Sequence, residues 1–120
     1  MFELLFYENN RGVSEIVDYL DELKRRSENN KGVAVRRRKI LSYLAALQDR
    51  GTLLGKPYVK HIDEDIWELR PLDNRIFFFY WKDNTIILLH YYIKKTDKTP
   101  RREIERAKHE RNEWIERNSK

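Results

Sequence analysis

Apolar and polar positions recur at two different periods along this chain, and the change of period divides it. Phe2, Leu4 and Phe6 alternate with Glu3, Leu5 and Tyr7, which predicts a short first strand. Asn9-Asn10-Arg11-Gly12 has the chemistry of a turn. Val13, Ile16, Val17, Leu20 and Leu23 then recur at helical spacing with acids between them, and Asn29-Asn30-Lys31-Gly32 stops that helix. A second helix is predicted from about Val33 to Arg50, with Ile40, Leu41, Leu44 and Leu47 as its apolar stripe and Gly51 just past its end. Two helices with a short link predict an antiparallel hairpin. The run Arg36-Arg37-Arg38-Lys39 covers a full helical turn, so its members cannot all point one way. Those beside the apolar stripe must lay their stems along it.

Beyond a loop with Gly55 and Pro57 the period shortens to two. Ile66–Arg70, Arg75–Lys82 and Thr85–Lys95 are predicted strands, with Asp73-Asn74 and Asp83-Asn84 as hairpin turns. The run from Arg75 to Trp81 is too apolar for an edge, which places it centrally. Alternation puts Arg75, Phe77, Phe79 and Trp81 on one face and Ile76, Phe78 and Tyr80 on the other. Thr99 is predicted as N-cap and Pro100 as first residue of a last helix, whose buried stripe is Ile104, Ala107, Trp114 and Ile115. The predicted order is β-α-α-β-β-β-α. This is an α+β fold with a mostly antiparallel sheet, an N-terminal helical hairpin, a C-terminal helix, and helices mainly on one face. No Pro/Gly-rich linker or repeat interrupts it, so residues 1–120 read as a single domain.

Composition narrows the class. Charged residues are 38 % and hydrophobic residues 40 %, with 12 % aromatic, which argues for a packed core rather than disorder. With no cysteine there is no disulfide framework, thiolate metal site or cysteine nucleophile. No stretch approaches the roughly 18 apolar residues of a membrane span. Met1-Phe2-Glu3 lacks the charged start of a secretory signal, so the expectation is a soluble, cytoplasmic protein. The net charge of +5 is unevenly spread: −5 over residues 1–23, +7 over 24–39, −1 over 40–93 and +4 over 94–120. Two basic blocks point to a polyanion or an acidic protein as partner, or else to solvated helix faces.

Familiar catalytic motifs are absent: there is no phosphate-binding glycine loop and no serine elbow. His61, His90 and His109 lack ligand spacing, so neither a metal nor a cofactor is expected. What remains is a set of strand-end cations. Arg70 ends one predicted strand, Arg75 begins the next, and Lys94, Lys95 and Lys98 leave the last. If these strands are adjacent, the cations converge at one end of the sheet, an arrangement suited to phosphate and to the charge of a phosphoryl transition state. The alternative is that they pair with Glu68, Asp73 and Asp97.

Two runs resemble a known family. Ile66-Trp67-Glu68-Leu69-Arg70-Pro71 followed by Arg75-Ile76-Phe77-Phe78-Phe79-Tyr80 is similar to the central hairpin of RelE-type toxins. The run from His90-Tyr91-Tyr92-Ile93-Lys94-Lys95 through Thr99-Pro100-Arg101-Arg102 to Ala107 resembles the C-terminal signature of the phage-type HigB branch of the RelE/ParE superfamily. The resemblance implies the toxin of a type II toxin–antitoxin module: a metal-independent endoribonuclease that enters the ribosomal A site and cuts translated mRNA. The substrate's 2′-OH attacks the adjacent phosphate, and the protein orients, neutralises and transfers protons. Arg75 matches the family's phosphate-contacting arginine and Lys95 its basic position after the last strand, with Lys94 and Arg70 beside them. Glu68 stands where some relatives carry a lysine; it reads either as a general base or as an ion pair holding Arg70 or Arg75. Some relatives place a tyrosine after the position of Pro100; here Tyr92, Tyr80 or His90 would have to substitute.

On the same reading Arg36, Arg37, Lys39, His61, Tyr92, Lys98, Arg101 and Arg102 contact RNA, with ribosomal RNA gripped by both basic blocks. The implied partner is a HigA-like helix-turn-helix antitoxin, in a hetero-oligomer, a heterotetramer, that reaches operator DNA through the antitoxin; no membrane is involved. Two other readings stay open: a noncatalytic nucleic-acid-binding module of the same fold, and a ParE-like gyrase inhibitor.

Overall fold

The computed structural model describes residues 1–119; Lys120, counted above in the second basic block, lies outside the described residues. Strand β1 (Glu3–Phe6) leads to helices α1 (Glu15–Ser27) and α2 (Lys31–Arg50), a 3₁₀ turn (Gly51–Leu54), strands β2 (Val59–Asp63), β3 (Ile66–Leu69), β4 (Asn74–Trp81) and β5 (Thr85–Ile93), and helix α3 (Arg101–Asn118). The order is therefore β-α-α-β-β-β-β-α. The extra element, β2, is short and polar, and a register shift between His61 and Asp63 breaks its alternation.

The strands form one mixed sheet in the order β1-β5-β4-β3-β2. β1 runs parallel to β5, and every other pair is antiparallel. β1 and β2 are thus opposite edges, and the helical hairpin between them crosses the width of the sheet. Each hairpin helix begins with a side-chain cap. Ser14 Oγ accepts from the Val17 amide at 3.2 Å, and Asn30 Oδ1 accepts from the Val33 amide at 3.1 Å. Asn30 therefore starts α2 as well as marking the end of α1.

The core has two layers because β4 is apolar on both faces. Ile76 and Phe78 face Ile16, Leu20, Leu23, Ile40, Leu44 and Leu47 of the hairpin. Phe77 and Phe79 face Ala107 and Trp114 of α3. The split of β4 into these two faces follows the alternation in the sequence. The expectation of helices mainly on one face is corrected: two helices cover one side and α3 the other. Phe77, Phe78 and Phe79 are fully buried, and each contributes roughly 1.5–3 kcal/mol of transfer free energy. Leu41, placed on the apolar stripe of α2, keeps 37 % of its surface exposed, whereas Val33 is in the core.

Gly51 closes α2 with φ +60, and a Cβ there would overlap Tyr80 Oη and crowd the Phe2 ring at 2.8 Å. Tyr80 itself accepts from the Thr52 amide at 2.8 Å on the hairpin side of the sheet. The β4–β5 turn holds Asp83 and Asn84 at positive φ, which these two residue types tolerate. The β3–β4 turn falls earlier than the sequence indicates. Leu72 carries the positive φ, and Asn74 is already the first residue of β4.

Candidate functional site

The strand-end cations do converge, and they do so around one buried acid. Glu68 lies on the α3 side of β3, opposite Phe77 of β4. It has no exposed surface, so its charge requires partners on all sides. Arg70 Nε donates to Oε1 at 3.2 Å, and Arg75 Nε stands 3.8 Å from the same oxygen. The hydroxyls of Tyr92 and Thr99 both donate to Oε2 at 3.2 Å. Local chemistry points to Thr99 as the cap of α3. Its hydroxyl is instead committed to Glu68, and Pro100 takes the N-cap position, making no side-chain hydrogen bond there.

Arg75 is fixed on a second side by its own turn. Nη1 donates to the carbonyls of Leu72 at 2.8 Å and Asn74 at 2.9 Å. Nη2 makes no hydrogen bond among the described residues, and the side chain keeps 9 % of its surface exposed. The guanidinium therefore presents one edge in a single orientation. Burial, with Arg70 adding to it, lowers the Arg75 pKa from the usual arginine value. Burial raises that of Tyr92.

The turn that holds Arg75 is braced from the hairpin. Tyr19 donates to Asn74 Oδ1 at 2.7 Å, and Arg36 pairs with Asp73 at 2.5 Å. This hydrogen bond is the leading cause of the lowered Asp73 pKa and of the raised Arg36 pKa. Arg36 thus reaches the back of the site. Arg37 donates to the Leu20 carbonyl at 3.2 Å, and Lys39 lies 5.7 Å from the centre of the Tyr43 ring; neither enters the site. His61 pairs across the strands with Trp67, on the hairpin face opposite to Glu68, and lies 2.6 Å from the Glu64 carbonyl. It is not brought to the cluster.

Beyond Tyr92 the chain forms a cleft of about 240 Å³ lined by Tyr92, Ile93, Lys95, Thr96, Pro100, Arg102 and Glu103. Lys95 is exposed and has no ion-pair partner among the described residues, whereas Lys94 stands 3.4 Å from Asp97. Lys98 and Arg101 line a neighbouring cleft with Pro100 and Ile104. Arg101 is shared between Asp63 at 3.5 Å and Glu105 at 3.4 Å, and Arg102 stands 3.9 Å from Glu103.

The cations of α3 and most of those of the hairpin therefore differ in their pairing. On α3, Arg101, Arg102, Arg106, Lys108, Arg111 and Arg117 all have acidic partners. On the hairpin, Lys24, Arg26, Lys31, Arg38 and Lys39 have no ion-pair partner among the described residues, and all five are exposed.

Sequence reasoning missed Thr99 as part of the cluster, and it missed Glu103, which lines the cleft. It also missed the acids beneath. Glu103 and Glu110 share a helical stripe with Ala107 and Trp114, and two acids on a buried stripe signal a buried partner. That partner is His90, which is wholly buried.

Residues 18–112 match a family model described as phage-derived protein Gp49-like (DUF891). The match runs from α1 into α3 and includes every residue of the cluster. No curated protein matches the chain. No helix among the described residues is long and apolar enough to cross a membrane.

Proposed function

The chain belongs to the phage-derived Gp49-like family, which is of the toxin–antitoxin type with RelE-like toxins, and from that membership we propose that it is a type II toxin of the HigB kind that cuts translated mRNA. The observation that carries this reading is the fixed guanidinium of Arg75, held by its own turn and by Glu68 beside Arg70, on a strand position opposite Tyr92, which lines the Lys95 cleft.

Attack of a 2′-OH on the neighbouring phosphate adds negative charge on the non-bridging phosphoryl oxygens and needs no group from the protein except proton carriers and cations. Arg75 supplies donors whose orientation is set before substrate arrives, which removes the reorganisation cost of neutralising that charge. Arg70 adds charge beside it and Lys95 adds charge from the cleft that Tyr92 lines, while Lys94 pairs with the exposed Asp97. Glu68 is an anchor for this set. Both of its oxygens are engaged and neither is exposed, so it orients Arg70 and Arg75 rather than meeting RNA. Tyr92 offers a ring edge to an unpaired base at the cleft.

The unpaired hairpin cations Lys24, Arg26, Lys31, Arg38 and Lys39 are the docking surface for ribosomal RNA. The α3 cations other than Arg102, which lines the Lys95 cleft, serve the fold instead. A HigA-type helix-turn-helix antitoxin is the partner that neutralises the activity in the cytoplasm. Induced expression is expected to arrest growth, with rescue by the antitoxin or by Arg75→Ala. Undiminished toxicity of Arg75→Ala would contradict the assignment.

A further inference from the structure

The cleft contains one carboxylate with a path into the core. Glu103 lines it beside Tyr92, Lys95 and Arg102, with 18 % of its side chain exposed. Behind it, Glu103 Oε1 lies 3.0 Å from Nε2 of the buried His90. Nδ1 of the same ring lies 2.5 Å from Glu110 Oε1. Glu110 is buried in turn and accepts from Arg106 Nε at 3.2 Å. The Phe77 ring packs on His90 at 5.0 Å and on Tyr92 at 5.6 Å, which locks the imidazole against the floor of the cleft.

Both ring nitrogens of His90 face a carboxyl oxygen, so the buried ring fixes Glu103 with a defined edge toward the cleft. A general base must come within hydrogen-bond reach of the proton it takes. Glu68 fails that requirement because it has no exposed surface, whereas Glu103 meets it in a cleft that two cations suited to phosphate, Lys95 and Arg102, also line. We propose that Glu103 is the general base of the cleft, with His90 and Glu110 as its positioning residues. The proposal rests on the ribonuclease reading above. In the step it describes, the O2′–P bond forms and the P–O5′ bond breaks. The O2′ proton passes to the Glu103 carboxylate, and the departing 5′ oxygen takes a proton from water. The products are a 2′,3′-cyclic phosphate and a 5′-OH, and Glu103 returns its proton to solvent.

The test is single-turnover cleavage of mRNA on programmed ribosomes across a pH range, with ribosome binding and thermal unfolding measured in parallel. Glu103→Gln is expected to lose about 10²–10⁴-fold in rate, with binding and fold retained, and to lose the acidic limb of the pH profile. Glu103→Asp should restore part of the rate. Glu110→Gln should move the acidic limb, a response that a purely structural role would not give; the charged groups facing this chain are Lys95, Arg102, Arg106 and Glu15, with the Tyr7 and Tyr92 hydroxyls beside them. Wild-type cleavage at an unchanged rate in Glu103→Gln overturns this inference alone. Absence of cleavage by the wild-type chain on ribosomes overturns both this inference and the reading it rests on.

Discussion

Thr99 donates its hydroxyl to Glu68 Oε2 at 3.2 Å, and by doing so it gives up the N-cap of the helix it precedes. A capping hydroxyl is worth about 1 kcal/mol to a helix. A buried carboxylate short of a donor costs more, about 1–3 kcal/mol. The second demand wins, and it ties the Lys94–Lys98 segment to the centre of the site.

Glu68 should therefore matter to stability as much as to activity. Glu68→Ala removes the nearest counter-charge from the buried Arg75 guanidinium, and the expected loss is about 3–5 kcal/mol. Glu68→Gln keeps the volume and the contacts to Tyr92 and Thr99 but removes the charge that aims Arg70 and Arg75. It should fold with a smaller loss and still cut poorly. Urea unfolding midpoints at constant slope separate the two variants.

The hairpin cations should govern docking, and the α3 cations should not. Replacing Arg38 and Lys39 with Glu is expected to weaken ribosome binding and flatten its dependence on salt, by about one unit of slope for each phosphate that is no longer neutralised. Arg101→Ala, which removes a charge already shared between Asp63 and Glu105, should leave the slope unchanged. Filter binding across a salt series reads both.

The Arg36–Asp73 pair gives the turn beneath Arg75 a pH dependence of known sign. The folded-state pKa of Asp73 lies below its ordinary value of about 3.8, so the pair stabilises the fold above that value. Its contribution is lost as pH falls through the lowered folded value. The melting temperature of the wild type should therefore exceed that of Asp73→Asn at neutral pH. The gap should close in strong acid; a gap that stays constant with pH would contradict this account.

Much of this arrangement was readable from the chain, because the strongest signals were local. The apolar run of β4 announces a central strand, and Asp83-Asn84 announces a turn. The Val59–Asp63 edge strand was not readable: its apolar positions are few, and its bulge interrupts the alternation. The side of the sheet taken by α3 was hidden too, since a strand buried on both faces does not say which helix covers which. Thr99 misled for a related reason. Its local preference points to a cap, and only the distant Glu68 explains why it does otherwise. Glu103 and Glu110 were visible as acids on an apolar stripe, but their partner His90 comes from another element and is joined to them only by the fold.

The central claim is that the surface edge of Arg75 serves phosphoryl chemistry on translated mRNA. Mapping of 5′ ends in a translation reaction, with and without ribosomes, tests it most directly. Wild-type protein should generate new 5′-OH ends within the translated frame only when ribosomes are present, and Arg75→Ala should reduce them by about 10²–10³-fold. Cleavage that Arg75→Ala leaves intact, or salt-sensitive binding with no new ends, would contradict the account.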